Sequence, residues 1–484
     1  MASDIRTLPS VHGDASVATR FPSPCMPKNP GGLVGLPGEL LLAIVSMALP
    51  SNQGTSSFTA DDYKQFAVAA QTCRRMNRLV VPFMYSRLSL RVGVSRHPLD
   101  ESSSLDGTGA LRKLGRSFKE NPHLREHCFQ LAISVEARRR LPSVDPEQNN
   151  LGRPFPASTL HENDANDIEA TLEIIPLLAR VRTLLLYGYL DDYREIWGVL
   201  RVAVAQKPSL RTVMCYHFGR KTEPARGPIR ELFSSAPNLG YLGLHRIEES
   251  EESVGYTGDT PHEKPLTSSQ SLSVEDRAAE LEVVRRLLSW PAQIGYLTLK
   301  PNTDDASPQL PFGLGGLMPI LTRHKTHLRR LHIGKTSLEG LGGFDLTGLE
   351  NLEVLNLSRW ATGNRAETHA GLLAPRLRIF TWTFTSDDIS RELNAPDIFQ
   401  EAEEAWIKGF INHATSRGVP LKEVRLAYHP RIETREDLEA HAVWDRIAVL
   451  AQDFKDSGVC VTCKPSKEDV VKAFLRSEKV GTKS

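Results

Sequence analysis

The chain has 484 residues, with 59 Lys and Arg against 58 Asp and Glu, for a formal net charge of +1. That length exceeds what one compact core sustains, so several domains or an elongated repeat are expected, and the charge balance provides no field that would recruit nucleic acid or an anionic membrane. Hydrophobic residues at 40% and charged residues at 24% exclude a wholly disordered chain.

Residues 1–32 are rich in Ser, Pro and Gly without periodicity, the composition of a mobile tail. Pro22, Pro24, Pro27 and Pro30 interrupt any helix there, and no apolar run has the length of a signal peptide. Leu33 to Leu49 is the most apolar stretch, yet it holds Pro37 and Glu39 and is shorter than the roughly 20 residues of a bilayer span. It is expected to be a soluble helix, not a membrane anchor. Pro37 and Glu39 suit a first helical turn, and Leu40, Leu41, Ile44, Val45 and Ala48 make one apolar stripe that Pro50 ends. A second helical stretch is expected from about Asp61 to Val80, with Phe66, Ala69, Ala70, Cys73, Met76, Leu79 and Val80 on its apolar face and Pro82 closing it. So few helices make a very small core, of the kind a partner usually stabilises.

The runs LPGELLLAIVSMAL and AAQTCRRMNRLVVPFMYSRLSL together resemble the F-box, whose pattern opens Leu-Pro-x-Glu-Leu and closes with a Cys-Arg-x-x-x-x-Leu helix before a strand-like tail. The match covers Leu36 to Leu90; the link between its helices is longer than usual, and Met76 stands where the family often has Trp. The resemblance implies that Leu36, Pro37, Leu40, Leu41, Ile44, Leu49, Cys73 and Leu79 pack within the F-box or against the Skp-family adaptor of cullin-RING ubiquitin ligases. It therefore implies two partners at this end, the adaptor and, through it, a cullin.

From Cys128 onward an apolar-x-x-apolar-x-apolar pattern returns. Copies start at Val181, Leu210, Leu239, Ile294, Leu328, Leu352, Leu377 and Leu421, giving steps of 29, 29, 55, 34, 24, 25 and 44 residues. These lie near one or two multiples of the roughly 20 to 29 residues of a leucine-rich repeat. Cys128 with Leu131 and Ile133 reads as a cap. In each copy the alternation suits a half-buried strand. Amphipathic stretches lie between copies, including Tyr193 to Leu200, Leu281 to Leu288, Leu314 to Leu321, Phe399 to Ile411 and Val443 to Phe454. Such strand-turn-helix units bury their apolar face only by stacking, so a divergent solenoid is expected. Ala137 to Asp167 and Glu248 to Ser273 read as mobile insertions.

Chemistry has little anchor. Cys460-Val-Thr-Cys463 is the only CxxC and lacks two nearby ligands for zinc, so packed cysteines and no metal are expected. The six cysteines are scattered, as free thiols in a reducing cytosol or nucleus would be. No phosphate-loop, dinucleotide, serine-hydrolase or zinc-protease motif appears, and Phe312 to Leu317, though Gly-rich, reads as a turn entering a helix. No catalytic residue and no cofactor is assigned.

The expected fold is α/β, a leucine-rich-repeat-like solenoid of parallel strands and helices preceded by a small all-α F-box. Its divisions are a tail over 1–32, the F-box over 33–90, connecting helices and an insertion over 91–180, the repeat domain over 181–470 and a tail over 471–484. The implied function is that of a non-catalytic substrate-recognition subunit of a ubiquitin ligase, holding a protein substrate on the concave strand face. The alternative is an interaction scaffold that delivers nothing. Alternation nominates His332, Asn356, Trp382 and Tyr428 as exposed substrate contacts.

Overall fold

In the computed structural model the leucine-spaced segments become the strands of one parallel sheet, as the alternating apolar pattern requires of chain buried on one face. The structure describes residues 36, 40–41, 60–92, 107–135, 162–188, 207, 209–218, 238–247, 271–275, 281–289, 291, 293–300, 310–337, 340–363, 365–384, 399–428 and 443–481. The strands are β1 (Arg87–Val92), β2 (Gln130–Val135), β3 (Thr183–Gly188), β4 (Thr212–Phe218), β5 (Tyr241–Ile247), β6 (Ser271–Glu275), β7 (Tyr296–Lys300), β8 (Leu310–Gly313), β9 (Arg330–Ile333), β10 (Thr336–Ser337), β11 (Val354–Ser358), β12 (Ile379–Phe384), β13 (Glu423–Tyr428) and β14 (Cys460–Lys464). Twelve of them lie side by side in chain order, while β8 and β10 form a separate parallel pair. The α/β class is the one expected.

Register is set by two apolar rows. Leu88, Leu131, Leu184, Val213, Leu242, Leu272, Leu297, Leu331, Leu355, Phe380, Val424 and Val461 stand opposite one another across all twelve strands, and every one is buried. Two residues on, Leu90 through Trp382 and Leu426 form a second buried row. A slip of one residue would turn both rows to the opposite face, so burial fixes the pairing.

Helices cover that side. Val284, Leu287 and Leu288 of the helix Leu281–Ser289 and Trp406, Phe410 and Ile411 of Glu401–Ser416 are buried, as are Val443, Ile447 and Leu450 of Val443–Asp453. All join one core that runs from Leu88 to Val461. The Gly-rich turn enters a helix as expected: a Cβ on Gly315 would stand 2.3 Å from the Gly340 carbonyl oxygen, so only glycine lets the two turns touch. No helix among the described residues is long and apolar enough to cross a membrane.

The expected boundaries shift in four places. The sheet begins at Arg87, not at Val181, so β1 and β2 are full members of the array and not connecting chain or a cap. β6 emerges from the end of the expected Ser-rich insertion, and Leu272 splits the 55-residue step into intervals of 30 and 25. The helix Glu162–Ile174 likewise starts inside the other insertion. Residues 467–481 are helical, with Val470 and Val471 packed on the core, where a tail was expected from 471.

Ahead of the sheet, α1 (Ala60–Thr72) and α2 (Arg74–Ser86) form a hairpin. The break falls at Cys73, whose extended backbone and Sγ, accepting from the Met76 amide at 3.4 Å, cap α2. Pro82 does not close the helix. It sits inside α2, which continues to Ser86 and passes straight into β1. Phe66 and Val80 form a small core of their own with Ala69, Ala70, Met76, Phe83 and Met84 around it, distinct from the core of the array.

Candidate interaction surface

Strand alternation that buries leucines on one side turns every other residue to the opposite face. The residue following the last apolar position of each copy gives, in register, Tyr187 on β3, Tyr216 on β4, His245 on β5, Glu275 on β6 and Lys300 on β7. Parallel strands are about 4.8 Å apart. Planar side chains at this spacing stack: Tyr187 and Tyr216 have centroids 4.7 Å apart at 5°, and Tyr216 and His245 are 4.5 Å apart at 15°. Next in the row, Nδ1 of His245 lies 3.0 Å from Oε2 of Glu275.

Alongside runs a row of Leu185, Met214, Gly243, Ser273, Thr298, His332 and Asn356. Leu185 is buried yet stands outside the main core, so it is covered on this second face. A Cβ on Gly243 would lie 3.1 Å from Cε1 of Tyr241 and 3.4 Å from Nε2 of His245; both rings thus lean over the glycine. The Tyr216 hydroxyl donates to Sδ of Met214 at 3.6 Å. Tyr296, in register with Tyr241 through Ser271, is an exposed member of the flanking row.

Burial sets the electrostatics. Desolvation, with Tyr187, Tyr241 and Glu275 nearby, pushes the Tyr216 hydroxyl up to about 12, and burial raises Tyr241 despite its hydrogen bond with Ser273. Both remain hydrogen-bond donors at neutral pH. The hydrogen bond from His245 holds the Glu275 carboxyl below the usual range, and so it stays ionised. Burial, reinforced by Lys300, drives His332 down to about 3, which keeps it neutral. Nε2 of His245 is buried without a hydrogen-bond partner among the described residues. Clustered Tyr side chains are enriched at protein-contact anchors.

Of the expected contact residues, His332 and Asn356 lie on this face in adjacent strands, and Asn356 Oδ1 accepts from the Thr383 hydroxyl at 2.7 Å. Trp382 and Tyr428 do not lie there. Trp382 shares the phase of Phe380 and is buried, stacked 4.4 Å from Trp406, with Nε1 donating to the Thr362 hydroxyl at 2.9 Å. Tyr428 shares the phase of Val424 and Leu426, is buried, and meets Trp444 edge-on. Alternation nominated both as exposed, but both stand in the inward phase of their own strands. The same phase places Tyr187, Tyr216, His245 and Glu275 outward, a signal available in the sequence and passed over.

At the N-terminal end Leu36, Cys73 and Leu79 are half-buried, Leu41 is buried and Leu40 is 54% exposed; Pro37, Ile44 and Leu49 lie outside the described residues. Val68 of α1 is 65% exposed, so the hairpin carries apolar surface on its outside.

Cys460 and Cys463 are three apart on β14, which turns their side chains to opposite faces, and burial lifts the Cys463 thiol to about 11. One metal ion cannot draw both ligands from a single such strand. No group of three or more His, Cys, Asp and Glu suited to a metal occurs among the described residues. An open cleft of about 570 Å³ between Leu341, Phe344, Gly371 and Arg417 carries Asp345 and Glu367 beside Arg365 and Arg417, without a convergent set of catalytic groups.

Comparison of the chain with protein-family models and with curated proteins returned no match.

Proposed function

We propose that this chain is the substrate-recognition subunit of a Skp-cullin-F-box ubiquitin ligase, with residues 33–90 as the F-box and the strand array as a divergent leucine-rich-repeat receptor for a protein substrate. One observation carries the reading. The hairpin of α1 and α2 keeps a miniature core around Phe66 and Val80, leaves Val68 exposed, and feeds directly into β1, and Leu40 earlier in the chain is exposed as well. An isolated core of that size with apolar surface outside it supports docking to a partner. The direct passage of α2 into β1 ties the adaptor to the receptor without a linker.

In this reading the chain performs no bond chemistry itself. The hairpin binds the Skp-family adaptor and, through it, the cullin, while the Tyr187–Tyr216–His245–Glu275 face binds the substrate close to the charged conjugating enzyme; proximity raises the effective concentration of the reacting lysine. Its place of action is the cytoplasm or nucleus.

The test is co-purification. The wild-type chain is expected to retain the Skp-family adaptor and a cullin, and Leu36→Asp/Leu40→Asp to lose both, while His245→Ala/Tyr216→Ala retains them and loses substrate. Loss of neither partner in the first variant overturns the docking assignment. Retention of the adaptor without a cullin, and without any protein that accumulates when the chain is removed, turns the reading to a scaffold.

A further inference from the structure

The strands begin along a rim where consecutive backbones are tied together: the amide of Glu353 donates to the Arg329 carbonyl, that of Arg378 to Glu353, and that of Lys422 to Arg378, each at 2.8 Å. At about 4.8 Å per strand these positions span about 14 Å. Beside them stand Lys325, Arg330 and Arg376, and all six cations are exposed. Arg376 is held in place, Nη1 donating to Oδ1 of Asn351 at 3.0 Å, while Nδ2 of Asn351 donates to the Thr326 carbonyl at 2.9 Å. The carboxylates among the described residues of the same rim are Glu350, Glu353 and Glu423, the last paired with Arg425, and no carboxylate of the described residues pairs with Arg329, Arg330, Arg378 or Lys422. Six cations against three carboxylates is a local excess of three, in a chain whose total is +1.

Such an excess costs self-repulsion wherever no counter-charge sits beside it. Elsewhere in the array the same protein compensates its charges: Lys408 meets Glu404 and Asp453, and Arg446 meets Glu404. The rim is also continuous with the aromatic face, because Arg330 stands in register beside the exposed Tyr296.

We propose that the rim from β9 to β13 is a docking site for an acidic segment of a partner protein, lying extended across the strand starts with its carboxylates on Arg329, Arg330, Arg378 and Lys422. Guanidinium groups suit carboxylates because they offer paired donors in a planar fork. A protein segment fits better than nucleic acid, since the excess is confined to one short rim and the chain as a whole is nearly neutral. This deepens the receptor reading by naming the chemistry of its cargo.

The full-length chain is titrated against a fluorescent Glu-rich peptide of about eight residues, long enough at ~3.4 Å per residue to cross the rim, and against its Gln analogue. The acidic peptide is expected to bind at least tenfold tighter, with affinity falling steeply as salt rises. Arg329→Glu/Arg378→Glu is expected to lose at least tenfold. Lys113→Glu/Arg116→Glu, which changes the net charge equally on an exposed helix at the other end, is expected to keep wild-type affinity. Melting temperature confirms that both variants fold. Equal binding of the Gln analogue, an unaffected rim variant, or tighter binding of a single-stranded oligonucleotide overturns the proposal. Adaptor binding is not read in this assay, so failure here and failure of the ligase reading are separate results.

Discussion

The hairpin over residues 60–86 and the last third of the array solve the same burial problem at very different scales. The hairpin centres on Phe66 and Val80, worth about 1.5–3 kcal/mol each when buried. The array around β12 packs Phe380, Trp382, Trp406 and Phe410 ring on ring, with Trp406 and Phe410 5.4 Å apart and parallel within 5°. It adds the Arg359–Glu403 pair, in which buried Glu403 also closes a capping box with Gln400 at the start of its helix. Repeat stacking lets each unit draw on its neighbours, whereas a two-helix element has none to draw on. One region shares its burial along many strands, and the other keeps a core centred on two residues.

Mutations can break that contrast. Trp382→Ala should have the largest effect, about 3–5 kcal/mol of lost stability read as a lower urea midpoint, because it removes the stack on Trp406 and the hydrogen bond to the Thr362 hydroxyl. A loss under about 1 kcal/mol would show that the aromatic cluster is not the array's anchor. Phe66→Ala should abolish amide protection over residues 60–86 in hydrogen exchange while shifting the array's midpoint by less than about 0.5 kcal/mol, since the two cores are distinct. A matching drop in both would mean that they unfold as one unit.

The smallest effect sharpens the comparison within the array. His332 is held neutral, its pKa moved from 6.5 down to about 3 by burial. The unfolded chain therefore binds a proton that the folded chain refuses, so this contribution is whole above about pH 6.5 and fades as pH falls toward 3. His332→Gln should consequently flatten the fall in melting temperature between pH 7 and pH 5. Identical slopes in both proteins would place the histidine in water.

Much of the array was legible because its signal is local. The first positions of the copies from Val181 to Leu421 mark strands that exist, and the stretches at Leu281, Leu314, Phe399 and Val443 are buried as the helical period suggested. β1 was read as a strand-like tail of the helical segment and not as part of the array, and β6 was missed, for a physical reason: Leu88 and Leu90 follow a helix with no turn signal between, and Ser271-Leu-Ser-Val-Glu is polar at alternate positions amid Ser-rich chain. Only neighbouring strands make such short segments pair. The contact face was half legible. Of the four residues that alternation nominated as exposed, His332 and Asn356 share the outward phase but are half-buried, while Trp382 and Tyr428 stand in the inward phase of their own strands.

What the amino-acid order settled by itself is the period: where apolar residues recur, hence parallel strands backed by helices, and a short apolar helical element ahead of them. Tertiary structure alone decided that the array starts at Arg87, that Tyr187, Tyr216 and His245 stack, and that the cations of separate repeats gather on one rim. The reason is distance along the chain. A period is written within one repeat, but a stack or a charged rim joins residues about 25 to 50 positions apart, and those meet only once parallel pairing sets them about 4.8 Å from each other.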